Sequence, residues 1–387
     1  MTAGIAIFAA AYALILSERV ERAPVAVLGA AAMVFCGLIP YRAALKCLDM
    51  NVVSLLAGMM IVVSVLARTG VFEWIAVSIA QKARGNGLLI FLGLLNITAF
   101  VSAFLDNVTT VVLIAPVTIL LTQILELSPL PFLVYEAVFS NLGGTATLIG
   151  DPPNVLIGSQ AGLPFNQFIA HLTPVVLLCA VVVSGVLAVV FRGSLRVSPG
   201  PRARMTVADP RRAILDAAGL RRSGAVFAGI LGGFFLGHPL GLEPGIVALA
   251  GAVVMVMVNR IPLEEGLRQV EWETLAFLGG LFVMIGALEH QGLFQKASEA
   301  VFSLTRGHFF AAVMVILWGC GLFSSIVDNI PVVLAMIPMI RAMIPEFAAD
   351  AGWTDRPELA QAYIADPLWW SLALGACLGG NGTLFGA

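Results

Sequence analysis

Charge is scarce in this chain. Only 11% of its 387 residues are Asp, Glu, Lys or Arg, against about 25% in soluble domains, which excludes a water-facing globule. The four histidines stand singly, and the five cysteines (Cys36, Cys47, Cys179, Cys320, Cys377) are odd in number with no C-x-x-C pair, which excludes a disulfide framework and a zinc site. The cysteines read as small buried core residues. A net charge of −2 offers no basic surface for nucleic acid. The first apolar run, Ala3 to Leu16, has no basic segment before it and no small-residue cleavage site after it, so it reads as a retained helix rather than a signal peptide.

What the chain has instead is hydrocarbon. Hydrophobic residues make up 59% of it, mostly in runs long enough to cross about 30 Å of lipid. Crossings fall near 2–17, 24–40 and 52–68, followed by a long apolar stretch at 87–125, an interrupted one at 131–160 and a plain one at 171–191. Residues 192–222 form a hydrophilic linker. The order then returns at 225–238, 243–259, 273–288 and 308–345, with a last segment from about 366.

The motifs return with the runs. Ser102-Ala-Phe-Leu-Asp106-Asn107 recurs as Ser324-Ser-Ile-Val-Asp328-Asn329, and Gly143-Gly144-Thr145-Ala-Thr147 recurs as Gly379-Gly380-Asn381-Gly-Thr383. Gly29 and Gly251, Pro40 and Pro262, and Asp106 and Asp328 each stand 222 positions apart, and the offset becomes 236 after the second long stretch. This is an internal duplication: residues 1–191, the linker 192–222, and residues 223–387.

Each long stretch reads in two ways. It is either two full helices with the Asp-Asn corner on the far side, or a re-entrant hairpin whose tip stops at mid-membrane. With re-entrant hairpins each half crosses five times, and an odd count forces the second half in upside down. Lys and Arg test the orientation, since they favour the cytoplasmic side. With the linker inside, 15 basic residues fall in the cytoplasm and 6 outside. The five-crossing reading then places the N-terminus outside.

An Asp at mid-helix costs about 2.5–3.5 kcal/mol on the insertion scale and is tolerated mainly where it lines an ion or substrate path. One Asp-Asn pair could simply cap a helix; two, each followed by a glycine-rich break, point to function. Ser102, Asp106, Asn107, Thr109, Asn141, Gly143, Gly144, Thr145, Thr147 and Asn154 form one expected substrate or ion site, and Ser324, Asp328, Asn329, Gly379, Gly380, Asn381 and Thr383 the other. Four-residue spacing would set each Ser on the same face as its Asp, and carbonyls freed at the breaks would complete an oxygen-rich cage. Glu136 and Asp151 are candidate proton relays. No Lys or Arg lies near either tip in the sequence, which disfavours an anionic cargo. No His or Cys stands at matching spacing for a nucleophile and base, so the chain reads as a transporter rather than an enzyme, with no cofactor.

The run Asp106-Asn-x-Thr-Thr, then Gly143 to Asn154 with its Gly150-Asp-Pro-Pro-Asn154 end, and later Asp328-Asn-Ile-Pro and Leu378-Gly-Gly-Asn-Gly-Thr383 resemble the ion transporter superfamily. The likeness is nearest to arsenite permeases of the ArsB type, sodium/proton antiporters of the NhaD type and the melanosomal P protein. It implies an all-α polytopic fold of two inverted repeats of about five crossings, each with a hairpin (87–125, 308–345) and a broken helix (131–160, from 366). It also implies a homodimer in the inner membrane that works as an elevator. The dicarboxylate branch carries Ser-Asn-Thr where this chain has Asp106-Asn107-Val108 and Asp328-Asn329-Ile330. The expected cargo is therefore arsenite or antimonite exported against protons, with sodium/proton exchange as the alternative and a passive channel behind it. The sequence stops at Ala387, inside what the repeat would make its second broken crossing.

Overall fold

A computed structural model describes residues 2–17, 19–202 and 210–383, apart from the side chain of His238. Arg204 of the linker and Leu384 to Ala387 of the second glycine-rich run lie outside the described residues. The described chain is helical. The first half contains α1 (Thr2–Leu16), α2 (Arg22–Phe35), α3 (Tyr41–Lys46), α4 (Met50–Ala67), α5 (Val71–Lys82), α6 (Gly87–Ser102), α7 (Asn107–Leu125), α8 (Leu130–Gly144), α9 (Pro152–Ala161) and α10 (Phe165–Phe191). The second half contains α11 (Ala217–Gly237), α12 (Pro244–Val258), α13 (Leu263–Leu267), α14 (Trp272–His290), α15 (Leu293–Leu304), α16 (Phe309–Ile326), α17 (Asn329–Asp350), α18 (Pro357–Ala360) and α19 (Asp366–Gly379).

Six of these helices, α4, α7, α10, α14, α16 and α17, are long and apolar enough to cross a membrane; α1, α2, α6 and α12 are shorter apolar helices. Their surfaces are lipid-like. On α10, Val181 is 70% and Val189 78% exposed, apolar area that water would penalise and a bilayer accepts. The protein is a multi-pass membrane protein.

Element boundaries repeat as the motifs do. α2, α3, α4, α5, α6 and α7 begin at residues 22, 41, 50, 71, 87 and 107, and α12 to α17 begin at 244, 263, 272, 293, 309 and 329, each 222 later. α8 and α19 begin at 130 and 366, which is 236 apart. Even the left-handed residues recur: Gly70 (φ 79°) and Gly292 (φ 74°) before α5 and α15, and Arg84 (φ 50°) and Arg306 (φ 51°) after them. The linker is shorter than the hydropathy suggests, because α11 starts at Ala217. α5 and α15 are elements that hydropathy passes over: both are 12 residues long and carry charges such as Lys82 and Lys296.

Two compact units form, and they do not follow the two halves of the sequence. One holds Met1–Val53, Leu156–Leu163 and Glu271–Ala387; the other holds Ser54–Val155 and Pro164–Val270. Each unit therefore joins the leading helices of one half to the hairpin of the other. Within the second unit, a Cβ on Gly58 of α4 would lie 2.6 Å from the carbonyl carbon of Ala248 on α12. Within the first, a Cβ on Gly280 of α14 would lie 2.5 Å from the carbonyl carbon of Ala26 on α2. Positions 58 and 280 match across the repeat, as do 26 and 248, so the same glycine seam is used twice.

Candidate functional site

Each unit holds one hairpin tip and one glycine-rich helix end. In the second unit α6 ends at Ser102 and α7 starts at Asn107, with Asp106 as its N-cap: the carboxylate accepts the Thr109 N–H at 2.9 Å. The short polar side chain satisfies a backbone donor that the first helical turn leaves unpaired. Ser102 does not share a face with Asp106. Its hydroxyl instead donates to the Asn107 side-chain oxygen at 2.8 Å, and the Asn107 amide donates to Asn141 Oδ1 on α8 at 3.0 Å. Asn107, rather than Asp106, is thus the hub of the tip.

α8 stops at Gly144 and α9 restarts at Pro152. The glycines are there for proximity. A Cβ on Gly143 would collide with the Ala99 carbonyl, and one on Gly144 with Asn107 Oδ1. The freed carbonyls do converge, but they are already taken: the fully buried Asn154 amide donates to Thr147 O at 2.9 Å, Thr145 O at 3.1 Å and Gly144 O at 3.4 Å. The expected open oxygen cage is thus a closed one with an amide nitrogen at its centre. The Thr145 hydroxyl returns to Asn141 O at 2.8 Å, Thr147 donates to Ala103 O, and Thr173 of α10 donates to Ala146 O at 2.9 Å.

The first unit repeats the pattern. Asp328 caps α17 by accepting the Ile330 N–H at 3.0 Å, and the Ser324 hydroxyl reaches both Asn329 Oδ1 and the Ala376 carbonyl of α19, the latter at 2.6 Å. Thr383 donates to Ser325 O, the counterpart of the Thr147 bond to Ala103 O. Gly379 meets the Gly321 backbone as Gly143 meets Ala99. Gly380 is buried, while Asn381 follows it half-buried in the closing turn.

The second tip differs in charge, which corrects the expectation that no basic residue lies near either one. Arg22, at the start of α2, bonds Asp328 Oδ2 through Nη1 at 3.1 Å, and its guanidinium stacks 5.5 Å from the Phe277 ring centroid. The opposite charges of Arg22 and Asp328 make the pair neutral as a whole, with the guanidinium lying over an aromatic face. At the position matching Arg22 stands Pro244, and Asp106 forms no ion pair among the described residues. Sequence reading missed Arg22 because 306 positions separate it from its partner.

The two relay candidates fall within the second unit. Asp151 is 3% exposed, immediately before α9. Glu136 is fully buried in α8 rather than at a helix entrance, and Thr118 of α7 donates to its Oε1 at 2.6 Å.

The first unit also contains a cavity of about 240 Å³ lined in part by Lys46, Asp49, Gln160, Glu289 and Arg341. Arg341 donates to Gln160 Oε1 at 2.6 Å, and Gln160 donates to Asp49. Its cations and carboxylates balance, so it is a polar vestibule without a preferred sign.

Residues 12–375 match the family model described as CitMHS, citrate transporter. An uncharacterized transporter of Mycobacterium bovis is 42% identical over 99% of this chain and 87% of its own length. A 46 kDa membrane protein of Mycobacterium leprae is 41% identical over the same shares. The mouse P protein is 32% identical over the whole of this chain and 55% of its own length.

Proposed function

The chain belongs to the CitMHS citrate transporter family and is a membrane transporter, not an enzyme; on that premise we propose that it is a secondary carrier exporting arsenite or antimonite as neutral trihydroxides in exchange for protons. The duplicated tip carries this reading. Two matched sets of Ser, Asn and Thr side chains beside backbone carbonyls, bonded to one another in this arrangement, would offer donors and acceptors to a small polyhydroxyl solute when those bonds are exchanged for it, and inverted pairs of broken helices are the layout of alternating access.

Charge supports a neutral cargo over the family's namesake. The Asp106 tip has net charge −1 and the Asp328 tip is balanced by Arg22. Citrate brings up to three negative charges, and among the described residues neither tip has a spare cation to receive them. The finer architecture follows the same reading. The Asn107 tip packs against the gap between α8 and α9, and α8 is only 15 residues, or roughly 22 Å, long. A tip at that depth suits a re-entrant hairpin, five crossings per half, inverted repeats and an elevator movement of hairpin and broken helix in a homodimer. Sodium/proton exchange is the second reading, favoured by the carbonyl cluster around Asn154, which a cation could occupy if that amide withdrew.

The test is uptake into inside-out vesicles under an imposed pH gradient, with labelled arsenite, citrate or sodium. Gradient-driven arsenite uptake that is independent of sodium and lost in Asn107→Ala supports the proposal. Sodium dissipating the gradient with no arsenite uptake makes the protein an exchanger, and saturable citrate uptake overturns the charge argument.

A further inference from the structure

The repeat offers an internal control on every buried polar group. A polar group that the repeated fold requires, or that belongs to the duplicated site, should have a counterpart of similar chemistry in the other half, whereas a single proton carrier need not. Ser102, Asn107 and Thr147 pass as duplicated groups. Glu136 does not: the matching position 236 later is Leu372, and its partner Thr118 matches Ile340, 222 later. Leu372 and Ile340 are both fully buried. The second half therefore fills the same place in its hairpin and broken helix with two apolar side chains. The fold does not require a carboxyl group here.

The hydrogen bond to Glu136 comes from α7. Thr110, Thr118 and Thr122 of α7 are all fully buried, and their counterparts are Val332, Ile340 and Ile344. Thr118 donates to Glu136 Oε1 at 2.6 Å, while among the described residues Glu136 Oε2 and Thr110 Oγ1 have no hydrogen-bond partner. Thr110 lies one turn inside the tip from Asn107, and Thr118 lies about 12 Å farther along the helix. Glu136 itself sits five residues before Asn141, the α8 amide that holds Asn107. One helix thus carries both the buried acid and the contact to the tip.

Among the described residues, the helices packed most closely against α8 bring no charge that would neutralise an ionised Glu136. Packed against α8 are α6, α7 and α10. α6 and α7 contain no titratable side chain, α10 contains His171 and Cys179, and α8 adds Tyr135. His171 is exposed and its Nδ1 lies 2.9 Å from the Gln167 carbonyl; Tyr135 packs edge-on against Phe91 and Phe191. None of these helices has a Lys or Arg. An anionic carboxylate buried with a single hydroxyl donor is strongly disfavoured, so ionising Glu136 calls for a water or a counter-charge to be brought to it.

We propose that Glu136 is the proton carrier of the transport cycle, taking one proton from water on one side and releasing it to water on the other, with no equivalent group in the second half. The orphan Oε2 is where an entering water would meet the acid when α7 and α8 part. The coupling sense rests on the secondary-transport reading above; the protonation of Glu136 does not. Two measurements keep them separate. Infrared difference spectra of the detergent-solubilised protein, taken between acid and alkaline buffer, should contain a protonated-carboxyl stretch that disappears in Glu136→Gln. Labelled arsenite uptake in vesicles should respond to an imposed pH gradient in the native protein and become insensitive to it in Glu136→Gln. A carboxyl band unchanged in Glu136→Gln, or gradient-driven uptake unchanged in that variant, overturns the proposal. If the band is lost but arsenite does not move at all, the proton site stands and the cargo reading fails. The double variant Thr118→Ile with Glu136→Leu copies the second half; it should fold with a melting temperature at least equal to the native one. A collapse in its melting temperature would mark Glu136 as structural and sink the idea.

Discussion

Asp106 does two things that a substitution can separate. Its side chain caps α7 and its charge sets the sign of the tip. Asn caps a helix about as well as Asp, whereas Ala loses about 1 kcal/mol. Asp106→Asn should therefore leave the melting temperature in detergent nearly unchanged while altering uptake; Asp106→Ala should lower both. Unchanged uptake in Asp106→Asn would reduce Asp106 to a cap. Gly144 makes a complementary case, because its Cβ would collide with Asn107 Oδ1. Gly144→Ala should cost roughly 1–3 kcal/mol in unfolding experiments, as overpacking does, and should lower transport together with stability. The Ser, Asn, Gly and Thr of both tips were legible in the sequence because they are duplicated. The roles within each tip were not. Ser102 pairs with Asn107 through a turn that helical spacing does not describe, and Asn154 occupies the carbonyls that were expected to be free.

Helices report themselves well in this chain because lipid demands long apolar runs, and the helix pairs α6–α7 and α16–α17 and the interruption between α8 and α9 lie close to where hydropathy puts them. α5 and α15 escaped because each is short and two-faced, with Phe72 and Ala76 buried on one side of α5 and Glu73 and Trp74 less so on the other. The helix seams were also hidden. Gly58 against Ala248 and Gly280 against Ala26 bring backbones into contact, as small residues do between membrane helices, but their 190- and 254-residue separations leave no local signal. Gly58→Val and Gly280→Val should each destabilise the protein by similar amounts, since the two seams are copies. Thermal unfolding of both variants tests this, and a large effect in one alone would show that the copies have diverged in packing.

The duplication makes a prediction about the whole molecule that no single helix can make. If each hairpin turns back at mid-membrane, five crossings separate any residue from its counterpart 222 positions later, and counterparts face opposite sides of the membrane. If the hairpins cross fully, two further crossings are added to each half, and the count of seven is again odd. Opposite facing therefore tests the inversion, and the tip tests the depth. Lys82 and Leu304 are matched, exposed residues at the ends of α5 and α15, beside loops short enough to stay at one surface. On the five-crossing proposal, the 15 to 6 division of basic residues predicts the first loop in the cytoplasm and the second outside. Single cysteines at these positions in a cysteine-free background should react with a membrane-impermeant maleimide from opposite sides. Labelling of both from one side would remove the inverted repeat. A third cysteine at Val108, which is 65% exposed beside the tip, reads the depth: brisk labelling from outside means that α6 and α7 cross fully. Protection from outside, with slow access from the cytoplasm, means that the tip ends within the bilayer, at the level where the broken helix leaves its carbonyls.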